Sequence, residues 1–586
     1  MSVKRKNMSD TKRNNPVPNF YRASGEDFKK IPGSPIAYWV SERVFEIFKN
    51  CKSFDSIAKP KLGMRTGNNE KFIRYWYEVD QLKIGYNFKN ALEAKNSGLK
   101  WFPYNKGGDF RRWFGNNEYV VNWENDGYEI KKETIASYPQ LSWDNLGWKI
   151  SNEIDFFKPC LEWSRISSSY LGVRISEGGF IFDTNGSSAF PDAKHLKFLV
   201  SFLCCKIASD FAKIINPSLA FQPGDLAVLP IIETNSIIEI IDNICLETIH
   251  LSKSDWNSYE TSWDFTTLPL LSPDYLSPTI EASYQKLRTH WQEMTIAMQS
   301  LEEENNKIFI EAYGMQDELT PDVPLSEITL TCNPHYRYDA NKPEEELESL
   351  LLADTIKELI SYAVGCMVGR YSLDKPGLIL ANQGETIDDY LSQIPEPSFK
   401  PDDDNIIPVL DDEYFTDDIV YRFKDFLKTV FGEKTLSQNL DYIAKALTGK
   451  SSSSPEKVIR DYFLRDFYKD HLRRYKKRPI YWMFSSGKQQ GFNALVYMHR
   501  YNKATLSKMR TDYLLELEAK LEAELTSLSE DPVKNKARIS KIKKQVDEMR
   551  TWDELLNNKA LALIEIDLDD GVVVNYAKFE GLVRKI

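Results

Sequence analysis

Apolar positions recur every three or four residues over several long stretches of the chain, and each stretch predicts a helix. Between His195 and Ile215, the residues Leu196, Leu199, Phe202, Leu203 and Ile207 form one face. The pattern stops at Asn216-Pro217, because the residue before a proline is driven out of the helical region. Ser41–Asn50 carries a shorter helical pattern. Ile237, Ile238, Ile241 and Ile244 open a helical region that includes a long stretch from Ser277 to Tyr313, and Glu344–Val368 predicts a further helix. Near the C-terminus, Leu514, Leu517, Leu521, Leu525 and Leu528 mark one helix, and Ile539, Ile542, Val546, Met549 and Trp552 mark a second. Ser529-Glu530-Asp531-Pro532 separates them, which predicts an antiparallel coiled-coil hairpin at about 503–557.

Short aromatic and β-branched runs bounded by Gly and Asn predict strands at Phe72–Trp76, Tyr119–Trp123 and Phe180–Phe182. Ile328–Thr331 and, after the Asp570-Gly571 turn, Val572–Tyr576 read as two more. The fold class expected is α+β: a mixed α/β target-recognition domain, then a mainly helical C-terminal region. The expected layout is a tail at 1–25 and a recognition domain at 26–235. A helical connector at 236–371 and an acidic, Pro-containing connection at 372–430 follow, and a C-terminal module at 431–586 carries the hairpin.

Composition narrows the classes. With 586 residues, 42% apolar and 27% charged, the chain is globular in character. No apolar run reaches the ~18 residues of a membrane span, and Ser2-Val3-Lys4-Arg5-Lys6 is no signal-peptide core. Seven cysteines without a Cys-x-x-Cys pair fit a reducing cytoplasm and no metal site. The net charge of −11 argues against a uniformly basic nucleic-acid binder, yet its distribution is uneven. Arg465–Arg510 holds twelve Lys/Arg against two acids, whereas Asp402–Asp418 holds eight acids.

Catalytic signatures are missing. Gly107-Gly108 and Gly178-Gly179 lack the spacing and the lysine of a phosphate loop. The nearest approach to an amino-methyltransferase Asn-Pro-Pro-Tyr motif is Asn333-Pro334-His335-Tyr336. There the second proline is His335, and no glycine-rich cofactor loop precedes it. A turn after Ile328–Thr331 is the plainer reading.

Three basic pieces remain. Lys61–Arg74 sets cations and amides around a Gly-rich turn, and such side chains read base edges and neutralise phosphates. Lys100–Trp113 interleaves four cations with five aromatic rings. Tyr468–Trp482 is basic and aromatic in a stretch nearly devoid of acids, as expected of a segment that meets a polyanion. The DNA-binding residues expected are Arg65, Thr66, Asn68, Asn69, Lys71, Arg74, Lys106, Arg111, Arg112, Arg473, Arg474, Lys476, Lys477 and Arg478. Against this stand two alternatives: ordinary surface loops for the first two pieces, and docking of the third on Asp402–Asp418.

These pieces, with Asp27–Trp39, Asn116–Glu124, Gly179–Asp183, Gly186–Phe190, Phe221–Asp225, Lys477–Trp482 and Gly491–Leu495, resemble a known family in order and wording. It is the second half of the large adenine-specific DNA methyltransferases of BREX phage-defence systems, the PglX proteins, relatives of type IIG restriction-modification enzymes. In that family an S-adenosylmethionine domain with the Asn-Pro-Pro-Tyr/Phe motif comes first, and target-recognition and helical regions follow. The resemblance therefore implies the reader of double-stranded DNA in an N6-adenine methyltransferase. It assigns no catalytic, cofactor or metal residue here and places S-adenosylmethionine in the full-length enzyme. An N-terminal methyltransferase half or other BREX proteins are the expected partners, and the start of the chain reads as that of a split, truncated or internally initiated gene. A stand-alone specificity subunit or a non-enzymatic scaffold are the alternatives.

Overall fold

The computed structural model describes residues 24–167 and 170–586. The tail expected at 1–25 falls outside them except for Ser24 and Gly25, where Ser24 caps the short helix Gly25–Phe28. Helices and strands mix as an α+β chain should. Among the described residues no helix is long and apolar enough to cross a membrane. The chain divides into two units. One takes the residues through Phe72, Gly85–Trp256 and Glu293–Tyr336. The other takes Ile73–Ile84, Asn257–Gln292 and Arg337–Ile586.

The first unit carries an antiparallel sheet in the order Pro60–Lys61, Gly186–Ala189, Cys160–Ser164, Val173–Ser176. Strand alternation places Leu161 and Trp163 on one face and Glu162 on the other. Glu162 faces Arg174 across the register, and the two pair at 2.5 Å while both are buried. A second group of strands runs Tyr119–Asn122, Trp101–Asn105, Ile181–Phe182, the first pair antiparallel and the last parallel. The helical face read from His195 to Ile215 is present but broken. Cys205 adopts an extended conformation between helices Ala193–Cys204 and Lys206–Ile215. The rings of Phe198 and Phe202 meet Phe309, and Phe202 and Phe211 meet Tyr313. Tyr313 is sealed in by donating its hydroxyl proton to the Pro230 carbonyl (2.7 Å). Ile328–Thr331 is not a strand. Ile328, Thr329 and Leu330 are buried, but the segment runs irregularly into a turn held by Asp255.

In the second unit, helices Glu344–Met367, Ile419–Phe431, Leu436–Thr448, Pro455–Arg465 and Phe467–Arg474 are joined by a three-stranded antiparallel sheet. Its order is Ile407–Pro408, Asn493–Tyr497, Tyr481–Ser485. The segment 372–418 is more ordered than its prolines suggest: helix Ile387–Gln393 packs Tyr390 against Ile379, Leu380 and Ile394. Helices Leu515–Leu528 and Lys536–Leu561 are tied by Arg538–Glu524 (2.7 Å) and by Arg550 with Glu518 (2.5 Å). Val572–Tyr576 is helical, contrary to the strand expected there. The Val572 N–H donates to the buried Glu78 carboxylate (2.9 Å), and Asn575 Nδ2 bonds the Gly571 carbonyl (3.0 Å). A tertiary anchor on its first turn and a local side-chain bond across it override β-branched propensity.

Candidate nucleic-acid interface

The Gly63–Lys71 turn is clamped by its backbone. A Cβ at Gly63 would meet the Phe182 carbonyl oxygen at 1.9 Å, so only glycine allows that approach. The Met64 N–H donates to the same carbonyl (3.0 Å), and the Arg65 N–H donates to the Lys149 carbonyl (2.8 Å). Thr66, buried, donates to Asn69 Oδ1 at 2.5 Å. It shapes the turn and presents no group outward, contrary to expectation. Asn68 is exposed and uses Oδ1 to cap Lys71 N–H (3.2 Å), which leaves its amide nitrogen as a donor. Lys71 pairs with Glu133, and the Arg65 guanidinium lies 5.0 Å from the ring centre of Trp148. Arg65, Asn68, Asn69 and Lys71 thus share one exposed turn with a fixed backbone.

Trp148, beside Arg65, is one of a set of exposed rings between positions 128 and 148 that sequence reasoning missed. Tyr128 and Trp143 stack at 5.4 Å, and each is about half exposed, as is Trp148. Lys149 is held between Tyr138 (3.9 Å) and Trp148 (4.4 Å). The available signal was two tryptophans in a polar, Gly- and Asn-bearing loop, Ser142–Lys149.

The second basic piece is internal. Arg111 is buried against Asp255 (3.2 Å) and Thr331 Oγ1 (2.6 Å). Arg112 is buried against Glu302 (2.7 Å) and Glu327 (3.1 Å), with Trp113 Nε1 on the other Glu302 oxygen (2.8 Å). Burial raises the Glu302 carboxyl above its ordinary range, and Arg112 opposes the rise. The expectation that Arg111 and Arg112 face DNA is therefore revised, because their charges are neutralised by acids distant in sequence. Lys106 is half-buried, its ammonium 5.1 Å from the Tyr119 ring centre, and burial lowers its pKa.

In the second unit Arg74 is also buried, donating to the Asp569 carbonyl (2.9 Å), so it too is a structural cation. The third basic piece is divided. Arg474 is largely covered, 4.0 Å from Glu260; burial lowers its pKa, but Glu260, Glu358 and the neighbouring Tyr475 and Tyr462 together raise it above the ordinary value. Arg478 stands 3.9 Å from Glu78. Arg473 is exposed with Asp470 at 2.8 Å, and Lys476 and Lys477 are exposed in left-handed conformations (φ +48° and +59°). Buried His471 sets this turn: its Nε2 accepts the N–H groups of Ile480 (3.2 Å) and Tyr481 (3.1 Å). Burial and the neighbouring arginines hold it neutral, well below the usual imidazole pKa. The cations that meet Asp402–Asp418 come from elsewhere, notably Arg460 on Asp418 and Lys541 on Asp411.

Asn333 is fully buried. Its Nδ2 donates to the carbonyls of Leu325 (2.7 Å) and Ile328 (2.9 Å), and its Oδ1 accepts the His335 N–H (3.1 Å). With those atoms engaged, this stretch is a structural turn and does not fit S-adenosylmethionine chemistry on an adenine amine.

No family model matches the chain. It is similar to the adenine-specific methyltransferase PglX of Lacticaseibacillus casei (strain Zhang), 38% identical over 587 aligned positions that take in 97% of this chain and 46% of that protein. The adenine-specific methyltransferase BrxX of Escherichia coli O9:H4 (strain HS) is 36% identical over 577 positions, 96% of this chain and 45% of that protein. The chain spans about half the length of the curated relatives it matches.

Proposed function

We propose that this chain is the DNA-reading portion of an adenine-specific methyltransferase of a BREX phage-defence system, binding duplex DNA sequence-specifically. The observation that carries the reading is the similarity to PglX and BrxX over nearly the whole chain. Residues 26–235 act as the target-recognition domain. Within it the exposed Arg65, Asn68, Asn69 and Lys71 supply directional donors on a backbone that does not need to reorganise, and pre-organisation favours specific over general binding. Arg473, Lys476 and Lys477 supply charge on flexible stems, suited to phosphates. Methyl transfer is assigned to no residue of this chain, so S-adenosylmethionine and catalysis belong to a methyltransferase half acting with it. Helices Leu515–Leu528 and Lys536–Leu561 form a coiled-coil hairpin, and its long arms also support a second reading as a scaffold for defence proteins.

The test is competition binding on a randomised duplex library at fixed salt, with the methyltransferase half present. A selected motif is the expected result. Binding without sequence preference supports the scaffold reading instead.

A further inference from the structure

Large aromatic side chains seldom stay half exposed on a monomer, since each ring loses apolar burial by doing so. The first unit holds three together with the reading turn. Tyr128, Trp143 and Trp148 are 50%, 52% and 52% exposed. They are also ordered by contact. Tyr128 and Trp143 lie nearly parallel, 17° between planes. Trp148 is steadied by Tyr138, 5.9 Å away edge to face, and by the Arg65 guanidinium.

The same turn touches Trp148 directly and reaches the Tyr128–Trp143 pair only through the helix that carries Tyr128. Arg65 reaches Trp148 at one end, and at the other Lys71 pairs with Glu133 on the helix Glu124–Ser137 that carries Tyr128. Lys132 is on that helix too, its ammonium 5.9 Å from the Tyr128 ring centre. Flat π-faces interleaved with cations fit a ligand that is itself flat, aromatic and anionic. A nucleobase inside a duplex has both faces covered by its neighbours, whereas an unpaired base has faces to offer.

We infer that Tyr128, Trp143 and Trp148 form a stacking platform for an unpaired base of DNA beside the Arg65–Lys71 turn. The inference rests on the DNA-reading proposal and adds the conformation of DNA it holds. A site of this kind favours DNA in which a base has left the stack, and it lowers the cost of opening the duplex next to the bases being read.

The test uses the full chain, tryptophan fluorescence and anisotropy. The probes are a duplex, the same duplex with a single-base bulge, and the single strand. Wild-type protein should bind the bulged duplex more tightly than the intact one, with quenching of tryptophan emission. Trp143→Ala with Trp148→Ala should remove that preference, a loss of about tenfold on the bulged probe, with a smaller loss on the intact duplex because Trp148 also steadies Arg65. The Phe variants at both positions keep a stacking face and should retain most of the preference, which separates stacking from a folding defect. Equal affinity of wild type for bulged and intact duplex overturns the inference while leaving duplex reading in place. So does an equal loss on both probes in the Ala variant. Absence of binding to any DNA, even with the methyltransferase half added, overturns the reading beneath it.

Discussion

Lys61–Lys71 and Lys100–Trp113 look like siblings in sequence, each a glycine-bearing turn with arginines and aromatic rings, yet they end in opposite roles. In the first, the backbone is buried and bonded while Arg65, Asn68 and Asn69 stay exposed. In the second, the arginines are the buried part. Arg111 bonds Asp255 and Thr331, and Arg112 bonds Glu302 and Glu327, tying the loop to segments 144 to 220 residues away in sequence. The sign of a local charge cluster thus says little until its counter-charges are located. An arginine whose carboxylates are already beside it has no reason to seek phosphate.

The sharpest way to break this comparison is Arg112→Ala. It strands the buried Glu302 carboxylate and should cost about 3–5 kcal/mol of stability, read by urea denaturation, with DNA affinity of the surviving folded protein unchanged. If stability holds and DNA binding falls, the two turns are alike after all.

A second test asks whether buried polar groups in the other unit are equally structural. His499 is buried, and its pKa is pushed down to about 3. Below the ordinary imidazole value near 6.5 the unfolded chain takes up a proton that the folded chain refuses, so stability falls with pH. Between pH 6.5 and 5 the loss from this one group is about 2 kcal/mol. In His499→Gln the acid-side slope of the denaturation midpoint should flatten accordingly.

Arg65→Ala or Asn68→Ala should leave stability untouched and weaken preferred DNA more than random DNA, by roughly 1–3 kcal/mol where the side chain makes a bidentate bond to a base edge. Library selection with each variant measures this, and an unaltered motif would place the reading elsewhere in 26–235. The smallest effect is reserved for Arg473, Lys476 and Lys477. Their replacement by Ala should weaken all sequences about equally and flatten the log–log salt slope by about 0.9 for each phosphate no longer neutralised.

Legibility followed the range of the interactions. The helices at 42–50, 280–313 and 344–367 were written in local periodicity and in Ser41, whose hydroxyl caps Val44 N–H. Asn68 and Asn69 follow the same rule, bonding Lys71 N–H and Thr66 within three residues, whereas Gly63 is fixed by Phe182 far along the chain. Val572–Tyr576 was misread because Glu78, nearly five hundred positions earlier, receives its first N–H. Arg74, Arg111 and Arg112 were misplaced by the same kind of long-range partner. Trp143 and Trp148 were missed because a single exposed ring has no periodic signature. Only its neighbours Tyr128 and Arg65, far off in sequence, give it meaning.

The close approach of Gly63 to the Phe182 carbonyl limits how this turn can vary. With the chain pinned at Gly63 and again at Arg65 N–H, position 65 carries its side chain outward from a fixed frame, whereas Asn68 and Asn69 belong to that frame through the Lys71 N–H and Thr66. Under the proposed DNA-reading role, a new side chain at position 65 alters what the turn offers without recasting that frame. At Gly63 any new side chain, however small, would dislodge the frame, and at Gly67 the left-handed backbone (φ +76°) disfavours one.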